Sequence, residues 1–114
     1  MGGLLEAKKI AAEAEANCLT IAPHNPLGPV ATAVCVHFAA STPNFVILEY
    51  VDPGKSGPLR EMVLEPMKFK DGYLEIPDTP GLGIELNVKA IQKYPPKPWR
   101  RGPVFEPDGN IGYI

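Results

Sequence analysis

Two kinds of apolar pattern divide the first fifty residues. In residues 4–17, LLEAKKIAAEAEAN, the positions Leu4, Ala7, Ala11 and Ala14 recur at helical spacing, with Leu5 and Ile10 on the flanks. Ala, Leu, Glu and Lys dominate the segment, and all are strong helix formers. This predicts an amphipathic helix that stops at Asn17 in a left-handed conformation. Residues 18–22, CLTIA, and 44–50, NFVILEY, are instead short and almost continuously apolar. Such runs predict buried parallel strands covered on both faces. Between them, residues 30–41, VATAVCVHFAAS, predict a helix that is apolar nearly all round and so covered on most sides. Helix, strand, helix, strand is the order of an α/β protein.

The pattern changes after Tyr50. Residues 51–60 contain Pro53, Gly54, Gly57 and Pro58 and predict a loop. In FKDGYLEI, Asp71-Gly72 sits between alternating apolar and polar positions, the signature of a two-residue hairpin turn. PDTPGLGIEL predicts a second turn and strand, and residues 88–94, VKAIQKY, about two helical turns. The remainder, PPKPWRRGPVFEPDGNIGYI, is too rich in Pro and Gly to build a core of its own. It is expected either to be disordered or to lie across a larger body. No internal repeat is present.

Composition narrows the class. The chain has 114 residues, 45% of them apolar, with a net charge of −2. That suffices for one small domain with a modest core. It gives no electrostatic reason to expect nucleic acid or an anionic membrane as a partner. No apolar stretch approaches the ~20 residues of a membrane span, and no secretory signal is recognisable, so a cytoplasmic location is expected. Cys18 and Cys35 form no CxxC pair and read as reduced, buried small hydrophobes.

The candidate chemistry lies at the ends of the two predicted strands. His24 follows the first and Glu49 ends the second, 25 residues apart, one strand–loop–helix–strand unit. Parallel neighbours joined by such a crossover point the same way, so both side chains are expected at the carboxyl edge of the sheet. Parallel α/β sheets and barrels place their active sites at that edge. A lone histidine beside a loop is usually just solvated, and a glutamate ending a strand usually just meets water; their shared edge is what raises both above that level. His37, mid-helix and among apolar residues, reads as packing. The GLG at 81–83 and the residues Asp71 and Asp78 read as turn chemistry. No set of three or four metal ligands and no nucleophilic elbow is evident.

PHNPLGP, PNFVILEY and DGYLEIPDTPGLG, in this order and spacing, resemble the carboxyl-terminal portion of the enolase superfamily. Within it, the pattern is most similar to the mandelate racemase/muconate lactonizing enzyme subgroup and its acid-sugar, galactonate-type dehydratases. The resemblance covers nearly the whole chain and is looser in EPDGNIGYI. It implies the last part of a (β/α)7β TIM-like barrel with a carboxyl-terminal hairpin and extended tail. Residues 1–60 would be the last barrel units (helix 6, strand 7, helix 7 and strand 8). Residues 61–114 would pack on the barrel or its capping domain.

The implied reaction removes the proton α to a carboxylate and eliminates water, yielding a 2-keto-3-deoxy sugar acid. The resemblance makes His24 the general base and Glu49 the group that hydrogen-bonds the substrate carboxylate as the enediolate forms. It implies Mg2+ as cofactor, with ligands outside this chain, a small-molecule sugar acid as substrate and a homo-oligomeric full-length enzyme. The carboxylate that would pair with the histidine is also expected outside the chain, since Glu6, Glu13 and Glu15 all fall on the first helix. The 114 residues alone are therefore expected to be an inactive fragment. A racemase or epimerase of the same superfamily, or a non-catalytic truncated remnant, are the alternatives.

Overall fold

Helix α1, Leu4–Ala16, and helix α2, Pro29–Ala40, form the body of the fold, followed by a short helix α3, Pro58–Glu61, a hairpin of β1, Phe69–Lys70, and β2, Tyr73–Leu74, and helix α4, Val88–Lys93. The computed structural model describes residues 2–98, 104–105 and 108–112. Near the carboxyl end, β3, Val104–Phe105, pairs antiparallel with β4, Ile111–Gly112. The expected extended tail is thus partly a second small hairpin. Its residues 99–103, 106–107 and 113–114 lie outside the described part.

The left-handed residue that closes helix α1 comes one position later than the sequence predicts. Asn17 has φ −100°, and the left-handed residue is Cys18, with φ 56°. The amide of Cys18 donates to the Glu15 carbonyl at 2.9 Å and that of Leu19 to the Ala14 carbonyl at 2.8 Å. These two reversed bonds satisfy carbonyls that the helix end would leave free. Asn17 instead turns its amide nitrogen back onto the Glu13 carbonyl at 2.9 Å. The exit geometry leaves Cys18 exposed, which corrects the expectation that both thiols are buried. Cys35 is half-buried, and its desolvation pushes the thiol pKa up.

Helix α2 begins with Pro29, whose missing amide is harmless in the first turn. Its far end receives the ammonium of Lys8, which donates to the Ser41 carbonyl and lies 3.3 Å from the Thr42 hydroxyl. A cation there complements the helix dipole and ties α1 to α2. The helix is covered on two sides, much as its apolar circumference predicts. On one, Phe38 packs against the small residues Ala7 and Ala11 of α1, with Ile21 beside them. On the other, Ala33 and Val36 meet Met67, ringed by Leu48, Leu74, Leu82 and Ile84. Ala7 and Ala11 are what lets a phenylalanine fit between two helices.

The two predicted strands are where sequence and structure differ most. They meet in a single parallel bridge, Ile21 with Phe45. Ile21 donates to the Asn44 carbonyl at 2.8 Å and accepts from Val46 at 3.0 Å. The next ladder bond from this side requires an N–H at position 23, and Pro23 has none. Nor are the runs buried on both faces among the described residues: Leu19, Val46 and Ile47 are each at least 60% exposed.

The later elements follow local chemistry closely. Asp71 and Gly72 both take positive φ, 51° and 85°, as a two-residue hairpin turn of the primed kind demands. The predicted strand in PDTPGLGIEL is reduced to an antiparallel bridge between Val63 and Leu86. Asn87 caps α4 by accepting the Ala90 amide at 3.2 Å. The predicted loop 51–60 contains the start of α3, initiated by Gly57 and Pro58. Glu61 of α3 then accepts from the Lys93 ammonium at 3.0 Å and the Tyr94 hydroxyl at 2.9 Å, clamping α3 to the end of α4. No helix among the described residues is long and apolar enough to cross a membrane.

Candidate active site

The parallel pair ends in a register slip that creates the site. Continuing the bonding pattern of Ile21, the Pro23 carbonyl would accept the amide of residue 48. It accepts the amide of Glu49 instead, at 3.4 Å. One residue is therefore accommodated without a ladder partner, a local bulge of the kind that re-aims a side chain. The Glu49 carboxylate swings across to the other segment: its Oε2 lies 2.6 Å from Nδ1 of His24. The same oxygen accepts the backbone N–H of Asn25 at 2.9 Å.

His24 and Glu49, separated along the chain by the whole of α2, are thus brought into direct contact. The juxtaposition expected from strand order is present, although the strands themselves are vestigial. The imidazole is 81% exposed and the carboxylate 43% exposed, so a small molecule can reach both. An exposed pair of this kind contributes at most about 1 kcal/mol to stability. Its contribution to holding the fold is correspondingly slight.

Asn25 is the residue that the sequence reading passed over. It is 1% exposed, and its Nδ2 donates to the Thr32 hydroxyl at 3.0 Å, in the first turns of α2. Thr32 in turn sits 3.4 Å from the Gly28 carbonyl. The loop His24–Gly28 is therefore fastened to the helix that follows it. The available signal was the Asn25-Pro26 pair, a turn former directly beside the candidate histidine. The Asn25 Oδ1 is buried and has no hydrogen-bond partner. Pro23, His24 and Asn25 also border an apolar groove of about 480 Å3 between the start of α1 and the face of α2 bearing Ala31, Val34 and Cys35.

His37 is distant in role: it is half-buried in the last turn of α2, and its Nε2 is buried without a partner. Asp71 lies in the hairpin turn, and Asp78 in the segment between β2 and the turn at Gly81. The donor set present does not fit a magnesium ion. Magnesium wants near-octahedral oxygen ligation, whereas Glu49 is a single carboxylate with Oε2 already engaged by two nitrogens. Among the described residues no group of three or more His, Cys, Asp or Glu is gathered for a metal.

Known proteins share this arrangement of sequence and fold. The profile of the enolase C-terminal domain-like family matches residues 1–90. D-galactonate dehydratase of Pectobacterium atrosepticum is 38% identical over 96% of this chain, which corresponds to 31% of that protein. A mandelate racemase/muconate lactonizing enzyme from Jannaschia is 34% identical, with a TM-score of 0.77 over 87% of this chain and 25% of its own. An enolase from Pantoea ananatis, solved with bound D-gluconate and magnesium, is 35% identical, with a TM-score of 0.76 over 85% of this chain and 23% of its own. The chain thus spans about a third or less of the length of these relatives. With a family match over most of its residues and the same fold in solved members, the chain belongs to the enolase C-terminal domain-like family, in the mandelate racemase/muconate lactonizing enzyme branch of the enolase superfamily, and corresponds to the carboxyl-terminal portion of those enzymes.

Proposed function

We propose that these residues supply the acid/base edge of a sugar-acid dehydratase, a lyase built on a (β/α)7β barrel. Residues 1–60 would form its last barrel units and residues 61–114 the hairpin and tail packed over them. The observation that carries this reading is the contact of His24 with Glu49 at 2.6 Å, formed at the carboxyl ends of two parallel segments joined by one helix. The identity with a galactonate dehydratase, and the gluconate held by a structural relative, support a sugar acid as the substrate class.

In this reading His24 is the general base. The α C–H bond breaks, its proton passes to Nε2 of His24, and the electron pair moves into the substrate carboxylate. The electron pair then returns to form the Cα–Cβ double bond as the β-hydroxyl leaves as water with the proton held on Nε2 of His24, and the resulting enol tautomerises to a 2-keto-3-deoxy acid. Glu49 is the second catalytic group. With Oε2 held by His24 and Asn25, its Oε1 is the oxygen left to meet the substrate carboxylate as charge builds there. Carbon acids of this kind are very weak, and the magnesium bound with D-gluconate in the Pantoea ananatis relative supports a metal ion as the group that would stabilise the enediolate. Because the residues of this chain do not fit one, its ligands would come from the rest of the enzyme.

The test is exchange of the substrate α-proton in deuterium oxide, followed by NMR with a panel of sugar acids, in the longest native polypeptide that contains this chain. Exchange with loss of water that disappears in His24→Asn is the expected result. Exchange that persists in that variant would remove His24 as the base. Exchange with inverted configuration and no loss of water would assign a racemase or epimerase instead.

A further inference from the structure

Glu49 is gripped at two points by the loop that carries His24. Its amide donates to the Pro23 carbonyl at 3.4 Å, and its Oε2 accepts the backbone N–H of Asn25 at 2.9 Å. The backbone and the far end of one side chain are thus fixed to residues on either side of His24, which sets the direction of Oε1. An exposed glutamate without such a bond spreads over several rotamers. The group that keeps the Asn25 N–H in place lies deeper. Asn25 is 1% and Thr32 4% exposed, and the Asn25 Nδ2 donates to the Thr32 hydroxyl at 3.0 Å. We propose that Thr32, acting through Asn25, is a positioning residue for Glu49: its hydroxyl holds the loop at the one setting from which the Asn25 N–H aims the Glu49 carboxylate at substrate.

Three observations make Thr32 the anchor. It sits in the first turn of α2, where its amide donates to the Gly28 carbonyl at 3.1 Å and its hydroxyl reaches the same carbonyl at 3.4 Å. The hydroxyl therefore donates along its own helix and accepts from the loop. Asn25 has no alternative partner: its Oδ1 is buried and unpaired, so the bond to Thr32 is the one side-chain hydrogen bond it makes among the described residues. Buried amides deprived of such a partner cannot turn to water instead. The segment between anchor and carboxylate is also stiff, because Pro26 follows Asn25 and disfavours the α conformation there. Side-chain amide and backbone N–H of Asn25 consequently move together. The proposed contact of Glu49 with the substrate carboxylate strengthens as the enediolate forms, so a misplaced Oε1 lowers the rate more than it weakens binding.

The inference rests on the proposed contact of Glu49 with substrate, and its test separates the two. In the 15N,13C-labelled chain, a scalar coupling between the Asn25 backbone nitrogen and the Glu49 carboxylate carbon reports their hydrogen bond directly. The coupling is expected in the parent and in Thr32→Ser, which keeps the hydroxyl, and is expected to vanish in Thr32→Val, which keeps only the shape. Asn25→Ala retains the N–H but drops the anchor; it is expected to lose the coupling too, and decides the matter if Thr32→Val does not fold. In the longest native polypeptide that contains this chain, Thr32→Val is expected to slow α-proton exchange at saturating sugar acid about tenfold, with KM changed less than about twofold. In a Glu49→Ala background the same substitution is expected to change the residual rate less than about twofold, since no carboxylate is left to aim. A parent without the coupling, a coupling indifferent to Thr32→Val in a folded chain, or an equal loss of rate with and without Glu49 would overturn the positioning role. Couplings that respond as expected in a polypeptide that exchanges no α-proton would instead overturn the proposed function and leave Thr32 as the residue that positions Glu49.

Discussion

The Glu49 amide donates to the Pro23 carbonyl at 3.4 Å, one residue beyond the partner that parallel register requires. That slip is why a histidine and a glutamate on two barely formed strands touch at all. Pro23 both ends the ladder, by lacking an N–H, and keeps a carbonyl that the neighbouring segment can still use. A residue that weakens secondary structure thereby sets the geometry of the candidate site.

Because the His24–Glu49 pair is well exposed, its removal separates function from stability. His24→Asn and Glu49→Gln are each expected to change the unfolding free energy by less than about 1 kcal/mol. Urea denaturation followed by circular dichroism measures this. A loss of several kcal/mol would mean that the pair holds the loop together and that its chemistry is secondary.

Gly83 offers a stability contrast of the opposite kind. It has φ +69°, and a Cβ placed on it would lie 2.2 Å from Cγ of Pro77. Gly83→Ala must therefore displace the Pro77 ring as well as strain the backbone, and a loss on the order of 1–3 kcal/mol is expected. Gly81 also has positive φ, at +77°, but faces open space. Gly81→Ala should cost less than Gly83→Ala in thermal melts; equal costs would refute the steric argument.

The clamp between α3 and α4 carries a pH signature. Hydrogen bonds from Lys93 and Tyr94, and from the Gly57 amide, hold the Glu61 carboxyl below its usual value of 4.5. A carboxylate depressed in the folded state stabilises above its unfolded pKa, and that stabilisation is lost as pH falls through the folded value. Stability attributable to Glu61 should thus be constant at neutral pH and fade below about pH 4.5. Parent and Glu61→Gln denaturation midpoints, measured from pH 7 down to 3, are expected to converge at the acid end. A gap between them that widens on acidification would contradict the assignment.

Magnesium provides the fourth prediction. With a single carboxylate at the candidate site and both nitrogens on its Oε2, a polypeptide of these 114 residues is expected to show no saturable magnesium binding by calorimetry. Saturable binding abolished by Glu49→Gln would show that the chain builds a metal site from its own residues.

Much of the local structure was legible from composition and spacing. The alanine-rich stripe of α1 and the Asp71-Gly72 turn each depend on residues within a few positions of one another. So does the presence of a candidate histidine beside a loop. The strands were less legible. CLTIA and NFVILEY have the apolar character of buried strands, but a strand exists only through its neighbours, and here each has a single partner, interrupted at Pro23. Their apolar residues consequently stay exposed, as Leu19, Val46 and Ile47 do.

By itself, then, the sequence determined helices α1, α2 and α4, the Asp71-Gly72 turn and the edge at which His24 and Glu49 would lie, because backbone propensity and strand order are local or topological properties. Only the tertiary structure decided that the two side chains come into direct contact, that the Asn25 N–H donates to the same carboxylate oxygen, and that Thr32 fastens the loop beneath them. Those contacts depend on a one-residue slip between segments more than twenty positions apart, and no periodicity within either segment encodes such a slip.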